Sequence, residues 1–134
     1  MKYQPLQIKQ SFPPITRTTL ALYAGASGDI NPVHIDLDAA HAAGFHDVFA
    51  HGMLVMAYMA RAITDAVPPH RLRLFTSRFV AITHLGDVLT CSGNGGQPFD
   101  ENGERRVAID LQMKNQNGEV KLKGRAICAF EQDL

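Results

Sequence analysis

Hydrophobic residues are most concentrated between Gly52 and Val67, where they fill almost every direction around a predicted helix. Helical spacing relates Met53, Met56, Ala57, Ala60, Ile63 and Thr64, while Leu54, Val55, Met59, Ala62 and Ala66 point elsewhere around the axis. A helix that is apolar nearly all round is buried on most sides. The segment is shorter than the about 20 residues that cross a bilayer, so we expect the rest of the chain to wrap it, with the methionines as core filler.

After Pro68-Pro69 the pattern changes to the two-residue period of β-strands. Val107, Ile109, Leu111 and Met113 alternate with Ala108, Asp110, Gln112 and Lys114, and the apolar residues from Val120 to Phe130 stand opposite Lys121, Lys123 and Arg125. Strands are predicted over 72–82, 87–93, 107–113 and 120–130, with a tight turn at Asn117-Gly118. Because no helix follows Gly93 to Gly96, we expect a flexible hairpin there rather than a phosphate-binding loop.

The first third of the chain predicts three short elements. A strand is expected from Leu6 to Phe12, and a helix capped by Thr16 runs through Tyr23. A second short helix is expected over 39–43, capped by Asp36 or Asp38 and stopped by Gly44. Taken with the strands, this predicts an α+β fold in which one curved antiparallel sheet wraps around a central helix. Its open sheet edge and apolar flank predict a dimer.

Length and charge narrow the class of protein. The 134 residues fit one domain over 1–134, and 13 basic residues balance 13 acidic ones, so no overall field favours nucleic acid or an anionic membrane. No basic and apolar leader precedes a cleavage site, and no apolar run spans a membrane, which predicts a cytoplasmic protein. Cys91 and Cys128 lie in separate predicted strands and are expected as buried thiols rather than a disulfide.

The candidate chemistry lies in the stretch 24–34, Ala-Gly-Ala-Ser-Gly-Asp-Ile-Asn-Pro-Val-His. Pro32 removes a backbone donor and disfavours helical backbone at Asn31, so a preceding helix must end before Asn31. We expect an irregular turn that directs Asp29, Asn31 and His34 at one small volume. Asp and Asn alone are ordinary turn residues; with His34 and the helix start at His51-Gly52, a functional interpretation is favoured.

The remaining histidines raise the question of a metal site. His34, His41, His46 and His51 lie among Asp29, Asp36, Asp38 and Asp47. Their spacings lack the i, i+4 pairing of a helical zinc motif, and Pro32 interrupts any continuous face. We therefore expect no metal. His51 is expected to be a hydrogen-bonded partner of a loop, and His41 and His46 to be surface or loop residues.

The segment from Tyr23 to His34, with Ala40 six residues on, resembles the signature of MaoC-like (R)-specific enoyl-CoA hydratases, also called hydratase 2. Ala50-His51-Gly52-Met53-Leu54 is similar to the second half of that signature, and 78–81 (Arg-Phe-Val-Ala) and Gly86-Asp87 resemble the next strand and turn. The resemblance implies the hot-dog fold and hydration of trans-2-enoyl thioesters to (R)-3-hydroxyacyl thioesters without a cofactor. Thr83-His84-Leu85 departs from the family where many relatives carry a proline.

Hydration of such a thioester needs a base for water, an acid for the α-carbon and donors for the carbonyl oxygen. The resemblance implies that Asp29 and His34 are the catalytic pair, with Asp29 as base toward water and His34 helping to deliver the proton, although both could share one water. It implies that the Gly52 amide binds the thioester oxygen, as a helix N-terminus can, and that Asn31 has a positioning role.

Two rival functions remain open at this point. A hot-dog acyl-CoA thioesterase shares the fold, but such enzymes generally lack the Asn-Pro-Val-His turn. A non-catalytic acyl-binding subunit of a dehydratase heterodimer is disfavoured by the presence of Asp29 and His34. The expected partner is an enoyl or 3-hydroxyacyl thioester of CoA or acyl-carrier protein, and the expected assembly is a homodimer. Arg78 and Lys121 are candidates for contact with CoA phosphates.

Overall fold

The computed structural model describes residues 5–130. Its elements in chain order are β1 (Gln7–Ser11), α1 (Arg17–Ser27), α2 (Leu37–Ala42), α3 (Gly52–Ala66), β2 (Leu72–Phe79), β3 (Thr90–Gly95), β4 (Phe99–Glu101), β5 (Glu104–Lys114) and β6 (Val120–Phe130), with 3-10 turns at Pro32–His34 and Pro69–Arg71. No helix among these residues is long and apolar enough to cross a membrane.

The strands form one antiparallel sheet in the order β1-β3-β5-β6-β2, and β4 pairs with β5. Helix α3 contacts β1, β2, β3 and β6 across one face of the sheet. Met59 and Ile63 of α3 are fully buried together with Ile109, Met113 and Leu122 of the sheet. The predicted α+β hot-dog architecture, a sheet curved around a central helix, is confirmed.

Helix α3 is less enclosed than its apolar composition predicts. Leu54, Val55, Met59, Ala62 and Ile63 are its buried residues, whereas Met53 is 52% exposed. The sheet covers one side of the helix, and within residues 5–130 nothing covers the side that carries Met53 and Ala57. This uncovered apolar flank is available to a second molecule.

Local predictions are mostly correct. Thr16 caps α1 by accepting the Thr19 N–H, and Asp36 rather than Asp38 caps α2. Cys91 and Cys128 are free and buried, and burial raises the pKa of Cys91 to about 11. The expected flexible hairpin at 93–96 is wrong for Gly93 to Gly95, which pair with β5 as part of β3. Strand β4 was not predicted, because three residues carry too little alternation.

Candidate active site

The candidate turn begins where α1 ends. Helix α1 continues to Ser27, four residues past the predicted end at Tyr23, and ends before Asn31 and Pro32 as expected. Gly28 then adopts φ +80°, a left-handed backbone that favours glycine, and its N–H donates to the Ala24 carbonyl. This reversal separates Asp29 from the helix and starts the irregular segment that Pro32 requires.

Short hydrogen bonds hold the turn in shape. The Asp29 N–H donates to Ser27 Oγ at 3.1 Å, and Asp29 Oδ1 accepts the Asn31 N–H at 3.3 Å. Asn31 Oδ1 accepts the Val33 N–H at 3.2 Å and so caps the 3-10 turn at Pro32–His34. The side-chain oxygen of Asn31 is therefore used to hold the turn, while the Asp29 side chain is exposed.

A backbone carbonyl fixes the tautomer of His34. Its Nδ1 lies 2.7 Å from the Phe49 carbonyl oxygen, and because a carbonyl only accepts, Nδ1 must carry the proton. The Nε2 of the neutral ring then presents a lone pair. The ring is 9% exposed and lies edge-on against Phe49, with centroids 4.9 Å apart. His34 is thus held by residues of a loop fifteen positions away, ready to accept a proton at Nε2.

His51 lies directly beside this ring and has the opposite tautomer. Its Nε2–H donates to the Asp29 carbonyl at 3.0 Å, and its ring stacks on His34 with centroids 3.9 Å apart. His51 is 1% exposed. Burial lowers its pKa, a charge on His34 lowers it further, and the bond to the Asp29 carbonyl only partly opposes this. The expectation that His51 is a hydrogen-bonded partner of a loop is confirmed.

The fold brings Asp29, His34 and His51 together, with one polar side-chain atom of each within 4.8 Å of the others. These are metal-ligating residue types, although their spacing in sequence argued against a metal. One nitrogen of each ring is already engaged by a backbone carbonyl. The exposed Asp29 carboxylate and the Nε2 lone pair of His34 are acceptors that can bind one water molecule.

Gly52 follows His51 and begins α3. The first amides of a helix lack intrahelical acceptors, and within residues 5–130 the Gly52 N–H has no backbone partner. The ring of Phe79 packs over this glycine, so that a Cβ at position 52 would lie 3.0 Å from Phe79 Cε1. The amide is therefore exposed beside an aromatic ring, where the helix dipole favours negative charge.

A cavity of about 280 Å³ opens beside this amide. Its lining is mostly apolar and consists of Phe49, Ala50, Gly52, Val55, Phe79, Val80, Ala81, Ile82 and Thr83. It adjoins the candidate turn through Phe49, which contacts His34, and through Gly52, which follows His51. An apolar chain attached to a carbonyl group would fit such a lining, with the carbonyl oxygen toward the helix start.

The two candidates for phosphate contact differ. Arg78 is exposed, but Lys121 is 2% exposed and its Nζ donates to the Ile82 carbonyl and to Glu119 Oε1, each at 2.6 Å. The prediction that Lys121 meets a CoA phosphate is therefore wrong. The pairing register of β5 and β6 shifts between Met113 and Lys114, and this irregularity breaks the alternation that placed Lys121 on the solvent side.

Sequence reasoning missed Phe49, whose carbonyl orients His34. A backbone acceptor leaves no signal in residue type, so nothing in the sequence could have identified it. Phe79 belongs to the quoted segment 78–81, but its packing over Gly52 depends on how β2 passes the start of α3.

Comparison with known proteins extends this picture. Residues 4–112 match the family model described as "MaoC like domain". The (R)-specific enoyl-CoA hydratase of Rhodospirillum rubrum is 31% identical over 80 residues, which are 58% of this chain and 56% of that protein. The matched segment thus spans little more than half of that relative.

Solved structures agree in fold. The R-hydratase PhaJ1 from Pseudomonas aeruginosa, in its unliganded form, has a TM-score of 0.79 at 31% identity, with 96% of this chain and 90% of that chain covered. A chain of the ChsH1-ChsH2 complex from Mycobacterium tuberculosis has a TM-score of 0.80 at 19% identity, with 98% and 100% covered. The second likeness concerns the fold alone.

Proposed function

This chain belongs to the MaoC-like dehydratase family, and from that premise we propose that it catalyses reversible, (R)-specific hydration of trans-2-enoyl thioesters to (R)-3-hydroxyacyl thioesters. The observation that supports the proposal is the cluster of Asp29, His34 and His51, with the unpaired amide of Gly52, the residue after His51, lining an apolar cavity. The similarity to R-hydratases at 31% identity supports the same reaction class.

Asp29 and His34 hold the reacting water. The exposed Asp29 carboxylate and the Nε2 lone pair of His34 are both acceptors, so one water can donate to both. As the water loses a proton to this pair, its oxygen bonds to the β-carbon and the π electrons move toward the thioester carbonyl. The proton then passes to the α-carbon. We assign Asp29 as base and His34 as the group that helps to deliver the proton; the reverse division uses the same contacts.

The Gly52 N–H binds the thioester oxygen on which negative charge develops. A fixed backbone donor at a helix start stabilises such an oxyanion without reorganisation. The thioester already makes the β-carbon electrophilic, so the reaction requires neither a metal nor a cofactor. Asn31 positions the turn through its bond to Val33.

The experiment that tests this proposal follows crotonyl-CoA with purified protein. Loss of enoyl absorbance without release of free thiol, with (R)-3-hydroxybutyryl-CoA as product, is the expected result. Release of free thiol would instead identify a thioesterase, and binding of acyl chains without turnover would identify a non-catalytic subunit. We expect negligible metal content in unchelated protein. We also expect the rate to be unchanged after chelation.

The proposed partner for assembly is a second copy of this chain. Within residues 5–130, β2 pairs with β6 alone and is an edge of the sheet. Leu74 and Phe79 on this strand, Val80 after it and Met53 of α3 are exposed apolar residues. A homodimer would cover them. Light scattering at micromolar concentration should give twice the 14.7 kDa chain mass, and a monomer would contradict the proposal.

The carrier of the substrate is tested separately, by assaying thioesters of CoA and of acyl-carrier protein in parallel.

A further inference from the structure

His51 occupies a position where a helix usually has a different kind of residue. It precedes α3 as the N-cap, but its side chain makes no cap hydrogen bond to that helix. Ser, Thr, Asp or Asn at this position would fold its oxygen back over the first amides. The imidazole turns away from α3 instead and reaches the Asp29 carbonyl, 22 residues earlier in the chain. The residue therefore connects the helix start to the catalytic turn.

The ring of His51 also forms one wall of the His34 site. The two rings stack with centroids 3.9 Å apart, and the Tyr23 ring lies edge-on against His51 with centroids 4.8 Å apart. Within residues 5–130, Nδ1 of His51 is buried and has no hydrogen-bond partner. A buried polar atom without a partner costs free energy, so stability alone does not explain a histidine here.

We propose that His51 is a positioning residue for the hydration reaction, which rests on the proposed function. It aligns the ring plane of His34 by stacking and holds the backbone of Asp29 through its Nε2–H. It also packs an uncharged ring against His34, so that His34 can take up a proton without repulsion. An imidazolium at position 51 would repel a charged His34 at this distance. Burial lowers the pKa of His51 and so favours its neutral form.

The test is a double-mutant cycle on kcat. His51→Ala and His51→Phe should each lower kcat by about 10- to 100-fold, since small misplacements of reacting groups cost up to about 10²-fold. KM should change little. His51→Phe retains an aromatic face and should lose less than His51→Ala. In the His34→Gln background, either change should cost nearly nothing further, because groups that act as a unit are non-additive.

The control is Ile63→Val, a fully buried position toward the other end of α3. It should lower the thermal midpoint while leaving kcat unchanged, and its effect should be independent of position 34. If the kcat losses of the substitutions at positions 51 and 34 instead multiply in the double variant, position 51 acts independently of position 34, as Ile63→Val does. His51 is then merely structural and the proposal is overturned.

A second measurement does not depend on activity. Nitrogen-15 spectra of the histidine rings should show the proton on Nε2 of His51 and on Nδ1 of His34, and His51→Ala should change the tautomer balance of His34. Unchanged His34 signals, or an Nδ1-protonated His51, would overturn the proposal even in an inactive protein. If the wild type turns over no enoyl thioester while these signals are as expected, the proposed function fails and the positioning geometry stands.

Discussion

Two polar clusters, each with buried members, differ in how completely their hydrogen-bonding groups are used. The site cluster consists of Asp29, His34 and His51, and the lysine cluster consists of Lys121, Asp87 and Glu119. In the site cluster each ring has one nitrogen on a backbone carbonyl, and the other ring nitrogen of His51 has no partner among residues 5–130. In the lysine cluster the charges are satisfied from several directions.

The lysine cluster surrounds an ammonium that is almost completely buried. Nζ of Lys121 contacts the Ile82 carbonyl, Glu119 Oε1 and, at 3.7 Å, Asp87 Oδ2. Asp87 in turn accepts the His84 N–H at 2.8 Å, and the amides of Asn115 and Gln116 lie at 3.3 and 3.4 Å from its other oxygen. Paired and hydrogen-bonded in this way, buried charges are tolerated.

This difference distinguishes polar groups that stabilise the fold from polar groups that can bind a ligand. A cluster whose donors and acceptors are all engaged has nothing left for a ligand, whereas an open lone pair or amide beside a cavity can bind one. The two clusters are nevertheless connected. The Lys121 carbonyl accepts the N–H groups of Val80 and Ala81, and its Nζ holds Ile82, so the lysine cluster supports one wall of the cavity.

The largest expected effect is on catalysis at the site cluster. Asp29→Asn and His34→Gln should each lower kcat by about 10²- to 10⁴-fold, because each removes a group that we propose to transfer the proton, while urea unfolding should be nearly unchanged for the exposed Asp29. Steady-state hydration of crotonyl-CoA measures this. His41→Gln, an exposed histidine on α2, is the matched control and should be fully active. Near wild-type rates in both site variants would show that the assignment is wrong.

The opposite result is expected at the lysine cluster. Lys121→Met should lower the free energy of unfolding by about 3–5 kcal/mol, because it leaves the buried Asp87 without its cation. The folded fraction should retain its kcat. Urea unfolding measures the loss, and Lys123→Met, at an exposed position two residues on, should stay within about 0.5 kcal/mol. A large loss of kcat in Lys121→Met without a loss of stability would contradict a purely structural role for the lysine cluster.

A pair of substitutions at Gly52 tests the amide next to the site cluster. Gly52→Pro removes the N–H and should lower kcat by about 10²- to 10³-fold, the cost of one oxyanion donor. Proline is tolerated in the first turn of a helix, and His51 already has the extended backbone, φ −58° and ψ 134°, that a following proline requires.

Gly52→Ala is the control for the added side chain. It keeps the N–H but places a methyl group against the half-exposed Phe79 ring. One methyl group in an apolar pocket is worth about 1–3 kcal/mol, so KM should rise by about tenfold or more while kcat is retained. Equal kcat values for the two variants would mean that the Gly52 amide does not bind the reacting oxygen.

The smallest expected effect is a pH dependence of stability that comes from His51. Burial lowers its pKa in the folded protein, so the unfolded chain binds the proton more readily. Stability is therefore fully present above the unfolded histidine pKa of about 6.5 and is lost as pH falls through the folded pKa. Asp29, His34 and Tyr23 are the titratable groups of the described residues that face the ring.

Urea unfolding at neutral and mildly acidic pH measures this effect. His51→Phe should have a weaker pH dependence than the wild type over that range, because phenylalanine cannot take up a proton. His41→Gln again serves as the control and should keep the wild-type dependence. An identical dependence in His51→Phe would contradict a buried, neutral His51.

The sequence by itself determined the longer helices and strands and the turn, because those depend on local physics. The alternation of Val107 to Met113 requires a half-buried strand, Thr16 and Asp36 are sufficient to cap helices, and Pro32 must interrupt a helix wherever it lies. Asp29, His34 and Gly52 could be selected as site residues, since their chemical types and the motif around them are visible in one dimension.

Only the tertiary structure decided which polar groups have hydrogen-bond partners and which keep a free lone pair or N–H. The Phe49 carbonyl that selects the His34 tautomer, the Asp29 carbonyl that holds His51, and the burial of Lys121 join positions 15, 22 and 39 residues apart. Residue type does not encode such partners, because a backbone carbonyl is the same at every position and a register shift can turn a strand residue inward. Hydrogen-bond satisfaction is a property of the packed chain.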